Sequence, residues 1–277
     1  MLLTINALIS ACAAAAVCFG WGGFSGLGWL WMLPVGFAVS FLAIGVAEFL
    51  LIWLCCSCVD QNKPQEKDSR FFRFLTRAFC PAIFPLLLTK VETSGLDRLP
   101  KDGRFMLVCN HLNNLDPVLL LAKFPKAQLA FISKRENSTM FIVGNLMHKL
   151  QCQLLNREND REALKTILKC ISILKEDKAS IAVFPEGYTS TDGLLHHFRN
   201  GVFKIAQKAQ VPIVVCTVQG TNAVFHNVLR LKRSVVKLHL LDVIPAADLA
   251  GIHTNQIGDR VYDLMAKDLG PGLVAEE

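Results

Sequence analysis

The strongest constraint on this chain is its N-terminal tract, in which no charged side chain stands before Glu48. A bilayer core of about 30 Å needs about 20 apolar residues per helical span. The glycine-rich stretch at 20–28 divides the tract into two segments long enough for two such spans. We therefore predict a membrane-anchoring helical hairpin over residues 1–59.

A cleaved secretory signal is the alternative for the first segment, because the ACAAAA run at 11–16 offers small residues to a peptidase. The segment lacks the positively charged start of such signals, and a second apolar span follows it directly. Two retained spans are therefore expected. Glu48 lies near the end of the second one, where snorkelling or protonation explains it better than an ion pathway does.

The charges beyond the hairpin predict its orientation. Basic residues follow the second span, whereas the turn between the spans carries no charge, so the positive-inside rule places residues 60–277 in the cytoplasm. Ten scattered cysteines agree with a reducing compartment, and no pair of CxxC units suggests a zinc site. The net charge of +6 suits anionic lipid or nucleic acid. The membrane anchor favours lipids as partners and no nucleic acid.

Residues 60–89 are predicted to form a polar linker and an amphipathic helix. Arg70, Arg73 and Arg77 recur at helical spacing among phenylalanines, with no acidic residue nearby in that helix. This pattern is typical of a helix in the membrane interface, with its cations near lipid phosphates. The alternative is an ordinary amphipathic helix packed on the following domain. In both cases Pro81 and Pro85 are expected to end it.

From about residue 90 onward, short apolar runs alternate with longer helical stretches, which predicts an α/β domain over 90–277. The expected strands are 105–110, 130–133, 180–184, 211–218 and 235–244, and the expected helices are 116–124, 160–177 and 198–209. Such alternation predicts a mixed, largely parallel sheet flanked by helices. Functional sites are then expected at the strand ends.

Two of these strands lead into polar loops, NHLNNLD at 110–116 and PEGYTS at 185–190. Histidine has an ordinary pKa of about 6.5, so a neutral imidazole at His111 can accept a proton from a hydroxyl at cytoplasmic pH. Asp116 can hold the other ring nitrogen and stabilise the imidazolium. The spacing fits if Asp116, as an N-cap, and Pro117 open a helix. A helix cap beside an inert loop histidine is the alternative.

The blocks NHxxxxD, FPEG and VPI, in this order, resemble the glycerol-phosphate acyltransferase family, especially bacterial 1-acylglycerol-3-phosphate acyltransferases, over 105–217. Lys134, Glu136 and Gly144 match a further block, Arg157 matches the arginine that ends the next one, and FRNG and VPIVV resemble later ones. The resemblance implies that His111 is the general base, that acyl-CoA or acyl-carrier protein is the donor, and that no metal or cofactor is required.

The resemblance also implies the residues that bind substrate. They are Asn110, Lys134, Arg157, Glu186 and Gly187. The alternative for Glu186 is that it braces a turn.

One departure concerns the third block, which reads FPEGYTS where the family usually has FPEGTRS. Thr189 therefore replaces an arginine that the family uses toward the acceptor's phosphate, a group that an arginine fork suits well. Arg157 and Lys134 are the cations left for that role. The change leaves open an acceptor with a masked phosphate or none.

The expected activity is transfer of a fatty acyl group to 1-acylglycerol-3-phosphate, giving phosphatidic acid in phospholipid biosynthesis. The alternatives are transfer to another lysolipid, hydrolysis of the thioester, and a non-catalytic membrane-tethered relative. Retention of His111 and Asp116 speaks against the last. Cys109 shares its strand face with Phe105 and Leu107, so a buried thiol is expected there rather than a nucleophile.

Overall fold

The computed structural model describes residues 1–21, 26–65, 67–156 and 159–275. The chain forms two compact units, Met1–Asn62 and Lys63–Glu277. The first unit contains helices α1 (Leu2–Gly20) and α2 (Trp29–Ser57). Both are long and apolar enough to cross a membrane. Within this unit, Asn6 of α1 donates hydrogen bonds to both carboxylate oxygens of Glu48 on α2, at 3.0 and 3.1 Å.

The second unit begins with α3 (Arg70–Leu86), which Ser69 caps by accepting a hydrogen bond from the N–H of Phe72. Arg73 is buried, and its guanidinium pairs with Asp68 at 2.9 Å. It also donates to the carbonyls of Leu129 and Leu150. The predicted contact of Arg73 with lipid phosphate is therefore wrong, and the alternative of a helix packed on the domain fits.

Pro81 and Pro85 both lie inside α3, so the prediction that Pro81 ends the helix is wrong, whereas the helix does end at Leu86, one residue after Pro85. Each proline removes one backbone hydrogen bond from the helix. Ala82 and Phe84, which lie between the two prolines, are buried, and this packing holds the last turns against the domain. Tertiary packing thus outweighs the local preference of the two prolines.

A seven-stranded sheet forms the centre of the second unit. Its strands are β1 (Thr89–Ser94), β2 (Met106–Cys109), β3 (Leu129–Lys134), β4 (Gln153–Leu155), β5 (Ser180–Val183), β6 (Ile213–Gln219) and β7 (Ser234–Ile244), in the order β1-β7-β6-β2-β5-β3-β4. β2 to β6 are mutually parallel, whereas β7 is antiparallel to β6 and parallel to β1. The predicted mixed, largely parallel sheet is confirmed.

Helices flank this sheet. They are α4 (Asp116–Lys123), α5 (Phe141–Lys149), α6 (Asp160–Lys175), α7 (Lys204–Ala209), α8 (Val224–Leu229) and α9 (Thr254–Leu269). The helix predicted over 198–209 is α-helical only in its second half, since Asn200–Phe203 form a 3-10 turn. The backbone N–H of Arg199 donates to the carbonyl of Pro185, which ties the start of this segment to another loop.

The sheet separates two apolar clusters, and β2 contributes to both. Met106 and Val108 pack in one cluster, whereas Phe105, Leu107 and Cys109 pack in the other. Burial raises the pKa of the Cys109 thiol well above its ordinary value. Cys109 is therefore the buried thiol that strand alternation predicted. Because β5 and β6 flank β2 on either side, the loop after β2 emerges at the middle of the sheet's carboxyl edge.

We predict that Arg73→Met lowers the free energy of unfolding by about 3 kcal/mol, since it leaves a buried carboxylate at Asp68 without its partner. Arg77→Met is the matched control on the same helix, because that guanidinium is exposed and donates to one carbonyl. Denaturant unfolding of the full chain in detergent measures both. Equal losses in the two variants would contradict the importance of the buried pair.

Candidate active site

His111 lies at the carboxyl edge of the sheet, in the loop that follows β2. Its Nδ1 is 2.8 Å from Oδ2 of Asp116, the first residue of α4. The Asp116 side chain is fully buried, and the His111 side chain is 15% exposed. Phe184 stacks on the imidazole with ring centroids 4.1 Å apart. Since Nδ1 faces the carboxylate, Nε2 is the nitrogen left to exchange a proton with a substrate.

The Asp116 carboxylate points back into the His111 loop. Oδ2 also accepts the backbone N–H groups of Leu112 and Asn113, each at 2.7 Å, and Oδ1 accepts the Thr221 hydroxyl at 2.6 Å. Leu115 is the N-cap residue of α4, and Asp116 makes no capping bond. The predicted N-cap role of Asp116 is therefore wrong, because its carboxylate oxygens are occupied by the loop, by His111 and by Thr221.

Glu186 holds the backbone of His111 from the neighbouring strand end. Its Oε1 accepts the N–H of His111 at 2.9 Å, and its Oε2 accepts the N–H of His196 at 3.1 Å. The carbonyl of His111 in turn accepts the N–H of Ser190, at 2.8 Å. Burial raises the pKa of Glu186 to about 7, although the two N–H donors oppose the shift. Glu186 thus braces two loops, the alternative left open by the sequence.

Asn110 is buried beside this loop and pairs with β6. Its side-chain amide donates to the carbonyl of Val218 at 2.9 Å, and its oxygen accepts the Val218 N–H at 2.8 Å. The Asn110 side chain therefore continues the hydrogen bonding between β2 and β6 beyond the end of β2. This arrangement favours a positioning role for Asn110 over the predicted contact with substrate.

Two other predicted binding residues, Lys134 and Gly187, lie outside this hydrogen-bonded cluster. Lys134 ends β3 at the same edge of the sheet and is exposed. Gly187 follows Glu186 with a φ of +84°, a conformation that favours glycine. Arg157 lies outside the residues that the structure describes. The structure thus brings His111, Asp116, Asn110 and Glu186 together.

Thr221 and Arg199 are two neighbours of the cluster that sequence reasoning missed. Thr221 follows β6 and is buried against Asp116. Its place in the sequence, two residues after the end of β6, could have predicted this position. β6 is parallel to β2, so the residues that follow both strands reach the same edge of the sheet. Arg199 lies against Gly187: a Cβ built on that glycine would be 2.9 Å from Arg199 Cδ and Nε. A cation therefore lies beside the FPEG loop, where Thr189 replaces the expected arginine.

Comparison with known sequences finds a likeness to the family that the motifs resemble. Residues 90–219 match the model of the acyltransferase family. This match confirms the resemblance that the NHxxxxD and FPEG blocks indicated.

Two relatives and one solved structure show how far the likeness extends. A chloroplastic 1-acyl-sn-glycerol-3-phosphate acyltransferase of Brassica napus is 32% identical over 56% of this chain and 44% of its own length. A 1-acyl-sn-glycerol-3-phosphate acyltransferase of Borreliella burgdorferi is 24% identical over 65% of this chain and 72% of its own. The chain thus spans less than half the length of the plant relative.

The crystal structure of the 1-acyl-sn-glycerophosphate (LPA) acyltransferase PlsC from Thermotoga maritima superposes with a TM-score of 0.61. The alignment covers 96% of each chain at 20% sequence identity. This likeness confirms the fold.

Glu186 predicts a pH dependence of stability. Its native pKa of about 7 exceeds the ordinary glutamate value of about 4.3, so between these values the native protein binds the extra proton. This contribution to the free energy of unfolding is therefore largest below about pH 4.3 and is lost as the pH rises through about 7. We expect the thermal unfolding midpoint of the natural protein, minus that of Glu186→Gln, to be higher at pH 5 than at pH 8. A constant difference in thermal scans would contradict this assignment.

Proposed function

We propose that this chain, whose residues 90–219 match the acyltransferase family model, moves a fatty acyl group from an acyl thioester to the hydroxyl of 1-acylglycerol-3-phosphate, giving phosphatidic acid. The observation that carries the proposal is the His111–Asp116 pair at the carboxyl edge of the sheet, with 2.8 Å between Nδ1 and Oδ2. The relatives named above carry the name of this activity.

In the proposed reaction His111 acts as general base. Its Nε2 takes the proton of the acceptor hydroxyl while that oxygen attacks the thioester carbonyl, and the Asp116 carboxylate stabilises the imidazolium. Collapse of the tetrahedral intermediate breaks the carbon–sulfur bond. The departing thiolate takes the proton back from Nε2, so the enzyme returns to its starting state. Acyl-CoA or acyl-carrier protein is the proposed donor, and no cofactor or metal takes part.

Transfer to a lipid is favoured over hydrolysis by the surroundings of the base. Phe184 covers one face of the imidazole, and 15% of the His111 side chain is exposed. An acceptor bound at this small open side displaces water from Nε2 while it presents its own hydroxyl. The Phe184 ring and the small open side of His111 therefore support the acyltransferase over the thioester hydrolase.

The proposed enzyme is integral to the membrane. We assign residues 1–59 as the anchor, 60–89 as the linker and amphipathic helix, and 90–277 as the catalytic domain on the cytoplasmic face. The length and apolar character of α1 and α2 support the anchor. The basic residues that follow α2 support the orientation.

Arg199 supports a phosphate-bearing acceptor. The third block lacks its expected arginine, but the Arg199 side chain lies against Gly187 of that block. Its backbone N–H donates a hydrogen bond to the Pro185 carbonyl at 2.8 Å. This bond fixes the backbone from which the Arg199 side chain extends. We propose that Arg199, with Lys134 and Arg157, attracts the acceptor's phosphate.

We predict that His111→Ala lowers the rate of diacyl product formation by about 10²-fold or more, the usual contribution of a general base. Asp116→Asn should also lower it, since an amide cannot stabilise the imidazolium as a carboxylate does. Purified full chain in detergent is given a labelled acyl thioester and lysophosphatidic acid. His253→Asn, at the exposed histidine directly before α9, is the control, because asparagine keeps the helix cap. Free fatty acid as the only product, independent of the lysolipid, would establish a hydrolase instead.

We predict that Arg199→Gln raises the KM for lysophosphatidic acid by about tenfold, the value of one charge-assisted hydrogen bond, while Arg199→Lys retains part of the affinity. With monoacylglycerol, which lacks the phosphate, Arg199→Gln and Arg199→Lys should have the same KM. Arg260→Gln is the matched control, because that arginine is half-exposed on α9. An equal effect of Arg199→Gln on both acceptors would show that the residue acts on the fold of the loop.

A further inference from the structure

The turn that joins α8 to β7 exposes apolar side chains to solvent. Leu229 and Leu231 are 86% and 84% exposed, more than any other large apolar side chain described in the second unit. Phe225 lies one helical turn before Leu229 on the same face of α8 and is 46% exposed. We call residues 225–233 the α8 tip. Scattered exposed leucines are ordinary, but three neighbouring apolar side chains on one projection mark an interaction surface.

Hydrogen bonds fix the backbone of the α8 tip. Leu231 has a φ of +54°, a left-handed conformation that glycine or asparagine adopts at lower cost. The N–H groups of Leu231 and Lys232 donate to the carbonyls of Val228 and Asn227, at 3.0 and 2.9 Å. The Asn227 side chain donates to the Ser234 hydroxyl at 3.0 Å. The turn therefore fixes the exposed Leu231 in a conformation that glycine or asparagine would adopt at lower cost.

The charged residues of the α8 tip itself are all basic. Arg230, Lys232 and Arg233 are all exposed, and no acidic residue occurs from 220 to 241. Exposed leucines that alternate with exposed cations along the turn suit an anionic lipid surface, in which acyl chains lie beneath phosphates. Leu229 and Leu231 are each more than four-fifths exposed, so few atoms of this chain surround them as the walls of a groove would.

The α8 tip lies at the same edge of the sheet as His111. β7 runs antiparallel to β6, and Gln219 at the end of β6 pairs with Lys237, so the start of β7 extends past the carboxyl end of β6. The N–H of Ser234 donates to the Leu88 carbonyl at 3.1 Å, which joins the tip to the end of α3. Leu88 and its neighbour Leu86 are 37% and 56% exposed there.

We propose that the α8 tip is a lipid-docking element: Leu229 and Leu231 insert among the acyl chains of an anionic surface, and Arg230, Lys232 and Arg233 bind the phosphates. Docking turns the carboxyl edge of the sheet toward the lipid. The connection that carries the tip also carries Thr221, which bonds Asp116. The surface thus presents the His111 edge to single-chain lipids in the membrane. The inference concerns lipid contact and holds whichever acyl acceptor the enzyme uses.

The test is photo-crosslinking of the full chain in vesicles of phosphatidylglycerol and phosphatidylcholine. The photoreactive residue p-benzoylphenylalanine replaces Leu231, and in the control it replaces Leu168, a 56% exposed leucine on α6. We expect the lipid adduct at position 231 to exceed that at 168 by about tenfold, since burial of a leucine in an apolar phase is worth at least that factor. Equal lipid adducts at both positions would overturn the proposal.

Two further arms separate lipid docking from other roles. Charge reversal by Arg230→Glu with Lys232→Glu should remove most of the lipid adduct at position 231, and phosphatidylcholine alone should do the same to the unaltered tip. If added acyl-carrier protein, an acidic partner, forms the adduct in place of lipid, the surface binds protein and the proposal fails. Neither arm requires turnover, so an inactive enzyme would contradict the proposed function and leave this inference standing.

Acyltransferase assays in vesicles and in micelles measure the contribution of docking to the use of lysolipid. Leu229→Ser with Leu231→Ser should raise the KM for lysolipid in vesicles about tenfold and leave kcat unchanged, because the reacting groups are untouched. With the same lysolipid in detergent micelles, the variant should match the natural protein. Equal losses in vesicles and micelles would show that the leucines support the fold and would overturn the docking role.

Discussion

The buried carboxylate of Asp116 is the interaction on which the site depends. It is fully buried and accepts hydrogen bonds from the loop after β2, from His111 and from Thr221 beyond β6. An unpartnered carboxylate in that position would cost several kcal/mol, so the donors are a condition of the fold. Because the same bonds set the direction of the imidazole, a structural requirement also orients the proposed base.

The parallel sheet makes this arrangement possible. β2, β5 and β6 end at one edge, so the residues that follow them meet although they are far apart in sequence. The apolar runs and the polar residues after them were sufficient to predict these three strands. For His111 and Asp116 they left two alternatives, and the resemblance to the acyltransferase family favoured the pair. The roles of Glu186 and Asn110 needed the structure, because their partners are backbone groups of other segments. A backbone N–H leaves no mark in the amino-acid sequence.

Other features stayed beyond prediction for reasons of pattern and length. β4 has three residues, and β1 reads TKVETS with little apolar content, so neither forms a recognisable run. The amphipathic pattern of α3 is the same whether it faces lipid or packs on a sheet, and the burial of Arg73 decided between these. Long-range packing against α3 likewise held its two prolines inside the helix.

In the FPEG loop, a local departure from the family sequence is accompanied by a charge from another segment. Thr189 removes a cation from the third block, yet Gly187 gives the Arg199 side chain room to lie against that block. A side chain at Gly187 would meet both the strain of a φ of +84° and the arginine itself. Glycine there therefore admits a charge from elsewhere in the chain. Since Pro185 of this loop also holds the backbone of Arg199, the position of that charge and the bracing of His111 by Glu186 depend on one short turn.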